Sequence, residues 1–403
     1  MPVVQPRIRQ GYFFTFAALF SIQLLPMIKF SRLILDNGLR VVVYPNRHTP
    51  LVAVQVMYHV GSRDEDPEKT GLAHLFEHLM FSGSENVPDF DTPSQLAGGE
   101  NNAYTNQDVT CYFHVLPADN LEVALWLESD RMGGLKISQE QFELQRKVVI
   151  EEFKETVLQE PYGDVLHHMC ELAYQVHPYR WPVIGKDLEH LQRLTLEDVL
   201  AFYRRFYRPN NAVLVIAGNV HPARAKALAK KYFSDIPPGD PVVRQFPVEP
   251  AQREFRSKTI ERPSIPVDAL YLVFHMCGRF DPGYYAAELL TDLLSSGPSS
   301  RLFAKLFKEH KLVNSVDCYL TGTEDPGLVV VEAKPAEGVS LQQAEEAIWE
   351  ELTNMQLEPP SVREMKKLKN QIESSLRFRG NEPREPVPCA GHLRNGRKCR
   401  PHR

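Results

Sequence analysis

The stretch Thr70-Gly71-Leu72-Ala73-His74-Leu75-Phe76-Glu77-His78-Leu79-Met80-Phe81 has the apolar spacing of an amphipathic helix, closed by Ser82-Gly83. At roughly 100° per residue with His74 at zero, His78 lies at about +40° and Glu77 at about −60°; Leu72, Leu75, Phe76 and Leu79 fall between about 100° and 200°. The predicted helix therefore buries one side and presents two imidazoles and a carboxylate on the other. Neutral imidazoles one turn apart form a chelate for zinc, and a catalytic zinc site keeps one coordination position for water. A carboxylate beside them can accept that water's proton. H-x-x-E-H is the inverted-zincin pattern. Two histidines one turn apart also occur on solvated helix faces, so the reading depends on finding a third ligand.

Three carboxylates compete for that role in Val148-Val149-Ile150-Glu151-Glu152-Phe153-Lys154-Glu155. Phe142, Val149, Ile150, Phe153 and Val157 define an apolar stripe centred near +50° when Val149 is zero. Glu152 then lies about 110° from the stripe, beside Val148 and Gln145, whereas Glu151 and Glu155 lie about 150° and 170° away, towards solvent. The phase predicts Glu152 at the border of the core, where a buried metal can reach it. Taken without the histidines, it would read as an ordinary glutamate on a helix flank.

Outward from these helices the chain reads as blocks of strands and helices. Phe30 to Tyr44 is strand, Asn37-Gly38 turn, strand, the strongest short hairpin signal. Strands are expected at Val52–Val60, Val109–Leu116 and Ala212–Ala217, and helices at Leu121–Met132, Glu140–Leu158 and Leu196–Phe206. Five prolines between Ser234 and Pro250 exclude a helix or central strand and mark a linker. After it the order partly repeats: strand at Ala269–Met276, helices at Tyr284–Leu294 and Ser300–His310, strand at Gly327–Ala333, helix at Leu341–Met355. Blocks rather than strict βαβ alternation indicate an α+β fold of two similar domains, each a mainly antiparallel sheet packed with helices. The expected division is residues 1–29 as an extension or signal-like segment, 30–236 as a first domain, 237–252 as linker, 253–378 as a second domain, and 379–403 as a disordered basic tail.

The composition is that of a globular protein, with 43% hydrophobic and 24% charged residues in 403. The net charge is −5, but Arg377 to Arg403 holds eight basic and two acidic residues, leaving −11 on the rest of the chain. A body so acidic argues against a nucleic-acid partner. Six cysteines without C-x-x-C spacing read as free thiols. Tyr12 to Leu25 is an apolar run of fourteen residues preceded by Arg7 and Arg9, short for a membrane span. It has the outline of a secretory signal, yet Leu25-Pro26-Met27 lacks a small-x-small cleavage site. It reads equally as an upstream extension before a start at Met27, or as a membrane-surface anchor. The location follows that choice: cytoplasmic from Met27, periplasmic or secreted with residues 1–26 as a signal.

His74 to His78, the glutamate some seventy residues later in Val-Val-Ile-Glu-Glu, and Gly98-Gly99-Glu100-Asn101-Asn102-Ala103-Tyr104-Thr105 between them resemble the pitrilysin family of zinc peptidases, which includes insulin-degrading enzyme and the mitochondrial processing peptidases. Gly61-Ser62-Arg63 with Asp66, Trp126-Leu127-Glu128-Ser129-Asp130-Arg131, Ala217-Gly218-Asn219-Val220 and Ser299-Ser300-Arg301-Leu302 look like further family segments, and the likeness covers about residues 29 to 375. The resemblance implies one zinc per chain, held by His74, His78 and Glu152, with Glu77 as general base. It implies a metalloendopeptidase for peptides in extended form, added as a strand along Asn102, Ala103 and Tyr104. It also implies that a second half, either a copy of the chain in a homodimer or a related subunit in a heterodimer, completes the enclosure. Two departures qualify it: Gln145 stands where members often carry a further acidic residue seven positions before the distal ligand, and the second domain reads as truncated after Leu376. They keep open an alternative, a non-catalytic partner or scaffold subunit.

Overall fold

A computed structural model describes residues 29–262, 265 and 267–379. The expectations for residues 1–28 and 380–403 lie outside the described residues. The hairpin forms as read: β1 (Ser31–Ile34) and β2 (Arg40–Pro45) pair antiparallel, and Gly38 takes φ +86°, which a side chain would resist. Asn37 then ties the turn to the domain, donating from its buried amide to the carbonyls of Phe233 and Ile236 at 2.7 and 2.9 Å.

Among the described residues, four more strands join the first sheet: β3 (Leu51–Tyr58), β4 (Glu100–Thr105), β5 (Thr110–Pro117) and β6 (Ala212–Gly218). The order is β1-β2-β6-β3-β5-β4, antiparallel except for the β2/β6 pair. The alternation in β3 works as the pleat requires: Val52, Val54, Val56 and Tyr58 are wholly buried. The surrounding helices are α1 (Leu72–Leu79), α2 (Asp91–Leu96), α3 (Leu121–Gly133), α4 (Gln139–Phe153), α5 (Val165–Ala173), α6 (Leu188–Arg193), α7 (Leu196–Phe206) and α8 (Pro222–Phe233). Their apolar faces and the sheet share one core, in which Phe76, Phe142, Val149, Phe202, Phe206 and Tyr207 meet strand valines.

The second domain is a three-stranded antiparallel sheet in the order β7-β9-β8, from β7 (Leu270–His275), β8 (Val313–Leu320) and β9 (Leu328–Pro335). Helices α9 (Tyr284–Ser295), α10 (Leu341–Leu357) and α11 (Val362–Arg379) accompany it. Its core is separate and includes Leu272, Leu294, Leu302, Val316, Val331 and Ile348.

Two long helices expected from the sequence change character. The first is α-helical to Phe153 and continues as a π-helical segment over Lys154–Gln159; the second is π-helical over Phe303–Glu309. An apolar period over one turn does not separate i→i+4 from i→i+5 bonding, and Phe153 and Val157 are both buried across the change. Residues 237–262 carry neither helix nor strand, and this segment is strapped to the first domain. Glu249 accepts backbone N–H bonds from Gln175, Val176 and His177 at 2.7 to 3.0 Å, and Arg244 Nε donates to Asp64 at 2.7 Å.

A second set of contacts fixes the two domains together. Met169, Ala173, Tyr174 and Tyr179 pack against Leu328 and Val330. Beside them, the buried Arg63 guanidinium meets Asp108 at 2.8 Å from its own domain, and Glu324 at 2.6 Å and Asp325 at 3.2 Å from the β8–β9 loop.

Candidate metal centre

Helix α1 is held at both sides by features the sequence shows only in part. Its apolar residues Leu72, Ala73, Leu75, Phe76 and Leu79 are buried. Gly71 sits at its start with φ +88°, in a gap where a Cβ would lie 2.6 Å from Leu191 and 2.9 Å from the Ile184 carbonyl. Glu65, absent from the sequence expectations, is a buried carboxylate that accepts from the N–H groups of Gly71 (3.0 Å) and Ala73 (2.8 Å) and from the Trp181 indole (3.1 Å). Burial pushes its carboxyl up to about 8, against the pull of those three donors. The oxygens of a carboxyl group at a helix N-terminus satisfy orphan donors there, whether or not the group is ionised. No local capping box signals it, since the acceptor comes from six residues before the cap.

The structure brings His74, His78 and Glu152 together. Glu152 Oε2 lies 3.6 Å from His78 Nε2 and 3.9 Å from His74 Nε2, and one ligand atom from each of the three falls within 4.8 Å of the others. Glu151 turns away to Lys154 at 2.6 Å, and Glu155 is exposed. Glu152 is half-buried beside the exposed Val148, the flank position that the helix phase predicts.

These side chains fit zinc. Burial lowers the His74 pKa to about 4, which keeps the imidazole neutral and its lone pair available. Tetrahedral ligands about 2.1 Å from zinc lie roughly 3.4 Å apart, close to the 3.6 and 3.9 Å from Glu152 Oε2 to the two imidazole nitrogens. Two imidazole nitrogens and one carboxylate oxygen are a catalytic donor set for that metal.

Glu77 stands one residue before His78 and is directed to the end of β4, where Thr105 Oγ1 donates to its Oε2 at 2.5 Å. Burial pushes the Glu77 carboxyl up to about 7; the Thr105 bond pulls the other way, and the Glu152 charge adds to the rise. A carboxyl poised there can take and return a proton near neutral pH.

Asn102, Ala103 and Tyr104 lie on β4, the outer strand of the sheet, opposite Phe113, Tyr112 and Cys111 of β5. No strand among the described residues pairs with the other side of β4. Behind β5 is a buried polar group that sequence reasoning marked only as a family segment. His114 Nε2 meets Glu128 at 2.9 Å, Arg131 Nε donates to Glu128 at 3.0 Å, and the Arg131 guanidinium lies 4.3 Å from both the Phe90 and Tyr112 ring centroids. Burial opposes ionisation of Glu128, yet the Arg131 charge and the His114 bond outweigh it and hold the carboxyl below its ordinary range. The adjoining Asp130 accepts from Ser84 at 2.5 Å and from the Asn86 amide at 2.6 Å, pinning the loop that leaves α1. Gln145 is partly buried on the same helix as Glu152 and is not part of the three-ligand group. Among the described residues, Cys111, Cys170, Cys277 and Cys318 form no disulfide.

Comparison with known proteins gives a consistent result. Residues 40–187 match the insulinase (peptidase family M16) profile, and residues 193–372 match the peptidase M16 inactive domain. A zinc protease of Helicobacter pylori is 32% identical over 291 residues, 71% of this chain and 65% of that protein, so the match spans somewhat less than two thirds of its length. A probable mitochondrial-processing peptidase subunit beta of Arabidopsis thaliana is 26% identical over 353 residues, 85% of this chain and 66% of that one. The crystal structure of a protease from Helicobacter pylori superposes with a TM-score of 0.83 at 27% identity, covering 89% of this chain and 87% of the other.

Proposed function

Since this chain belongs to the insulinase family of peptidases, M16, we propose that it is a zinc-dependent endopeptidase that cuts peptides bound in extended form. The observation that carries the reading is the convergence of His74, His78 and Glu152 within 4.8 Å, with the Glu77 carboxyl beside them. His74, His78 and Glu152 would hold the metal. When bound, zinc supplies Lewis-acid polarisation of a carbonyl and of water. Glu77 accepts the proton of the attacking water at a carboxylate oxygen as the new C–O bond forms. It then returns that proton to the amide nitrogen as the C–N bond breaks, so the base ends as it began. Asn102, Ala103 and Tyr104 on the open side of β4 would hold the peptide by main-chain hydrogen bonds, which makes recognition depend more on extension than on side chains.

The proposed division of labour follows the domains: 30–236 as the peptidase domain and 253–378 as a peptidase-like domain, joined through 237–252. A second half, from another copy in a homodimer or from a related subunit in a heterodimer, would complete the enclosure; the relative named as a subunit beta supports this. The non-catalytic alternative draws on Gln145 and on the family description of residues 193–372 as an inactive domain. Cleavage of an unstructured peptide mixture by the zinc-loaded protein, before and after chelation, decides between them. Loss on chelation and recovery with zinc is expected; no cleavage in any metal state would leave the partner-subunit reading.

A further inference from the structure

We propose that Thr105 is a positioning residue for Glu77, and that through it the strand offered to the substrate also sets the direction of the base. The contact is direct: Thr105 Oγ1 donates to Glu77 Oε2 at 2.5 Å. A hydrogen bond to a charged acceptor is among the stronger ones, and it fixes one carboxylate oxygen while leaving the other to work.

Thr105 is itself held with little freedom. It is the last residue of β4 and pairs with Thr110 across a tight turn, in which Asn106 Oδ1 accepts from the N–H groups of Asp108 and Val109, both at 2.8 Å. The Ser62 and Arg63 N–H groups donate to the Asn106 and Gln107 carbonyls at 3.1 and 3.0 Å. Asp108 is then bound from both domains, by Arg63 at 2.8 Å and by the Glu324 N–H at 2.9 Å. The turn is thus clamped between the first domain's loop after β3 and the second domain's β8–β9 loop. A β-branched side chain on a clamped strand has few rotamers, so its hydroxyl holds one place.

The consequence is geometric. Ala103, on the peptide-accepting edge, is two residues from Thr105, so substrate backbone and base carboxylate are referenced to one rigid strand. Misplacement of a catalytic group by about 1 Å can cost on the order of 100-fold. The second domain, which holds no metal-ligating group among the described residues, thereby acts on the chemistry through Glu324 and Asp108.

This inference rests on the proposed peptidase function, and its test separates the two. Full-length wild type, Thr105→Val, Thr105→Ser and Glu77→Gln are loaded with zinc and assayed on one quenched-fluorescent peptide chosen from a mixed library with the wild-type protein. Thr105→Val keeps the shape without the hydroxyl. It should retain zinc, lower kcat about 10-fold to 100-fold, and change KM less than about 3-fold. Thr105→Ser should recover most of the loss. A crystal structure of Thr105→Val should show the Glu77 carboxylate moved or in more than one rotamer. Unchanged kcat in Thr105→Val, a Ser variant as impaired as Val, or an unmoved Glu77 overturns the positioning role. No cleavage by wild type, or full cleavage by Glu77→Gln, overturns the peptidase reading first.

Discussion

The two domains share an architecture of mainly antiparallel sheet and covering helices, but they use it differently. In the first, α1 lies against the end of the edge strand β4 and carries His74, Glu77 and His78; in the second, α9 packs on β8 and carries Glu288 and Asp292 without histidine. Among the described residues, the only group of three side chains suited to a metal is His74, His78 and Glu152. The scaffold supplies burial and rigidity; the chemistry comes from a few side chains placed on it. The ion pairs differ in the same sense. Glu128 and Arg131 of the first domain are almost wholly buried, whereas Arg301 and Glu364 of the second remain partly in solvent.

The sharpest way to break this contrast is to remove a ligand. Glu152→Gln is expected to lose nearly all bound zinc and peptide cleavage, while Glu151→Gln keeps both; metal analysis of the two proteins checks it, and the reverse result would show the helix phase to be wrong by one residue. Glu77→Gln should retain zinc yet lower kcat by about 100-fold to 10,000-fold. More than about a tenth of wild-type turnover would assign the proton to another group.

Stability should separate the domains next. Arg131→Leu leaves Glu128 buried without its cation, at a cost of about 3–5 kcal/mol, whereas Arg301→Leu should cost no more than about 1 kcal/mol. Chemical denaturation of both variants measures the difference, and equal losses would contradict the burial argument. A pH-dependent effect is expected at the domain junction. Burial opposes the Glu324 charge, but bonds to His59 and Arg63 hold the carboxyl at about 2. A depressed carboxyl contributes fully above its unfolded value of about 4.3 and loses that contribution as pH falls towards about 2. Glu324→Gln should therefore lower Tm by a few degrees at pH 7, with the gap to wild type closing below about pH 4. A gap that stays constant with pH would mean that the junction does not depend on this charge.

Local pattern revealed a good part of this molecule. The Asn37-Gly38 hairpin, the strands at Leu51–Tyr58 and Ala212–Gly218, and helices α1, α3, α7 and α10 all follow from alternation, turn chemistry and apolar period. Helices α2, α5, α6 and α8 and strand β8 escaped that reading, because short or weakly apolar segments take their form from the surfaces they cover. Glu152 was selected over Glu151 and Glu155 by helix phase, which is a local property. The residues that sequence reasoning missed, Glu65, Thr105 as the partner of Glu77, Asp130 as the anchor of the loop after α1, and the Glu324 junction, all act across distance in the chain.

The sequence by itself determined the α+β class, the face of α1 that carries two imidazoles and a carboxylate, and the flank of α4 that presents Glu152. These depend on the period of one helix at a time. Only the tertiary structure decided that Glu152 Oε2 stands 3.6 Å from His78 Nε2, that Thr105 holds the Glu77 carboxylate, and that Arg63 gathers carboxylates from both domains. Such contacts join residues up to 262 positions apart, and no local period encodes them. They form where burial strips water from charged and polar groups, so that each must find its partner in whatever the fold has placed nearby.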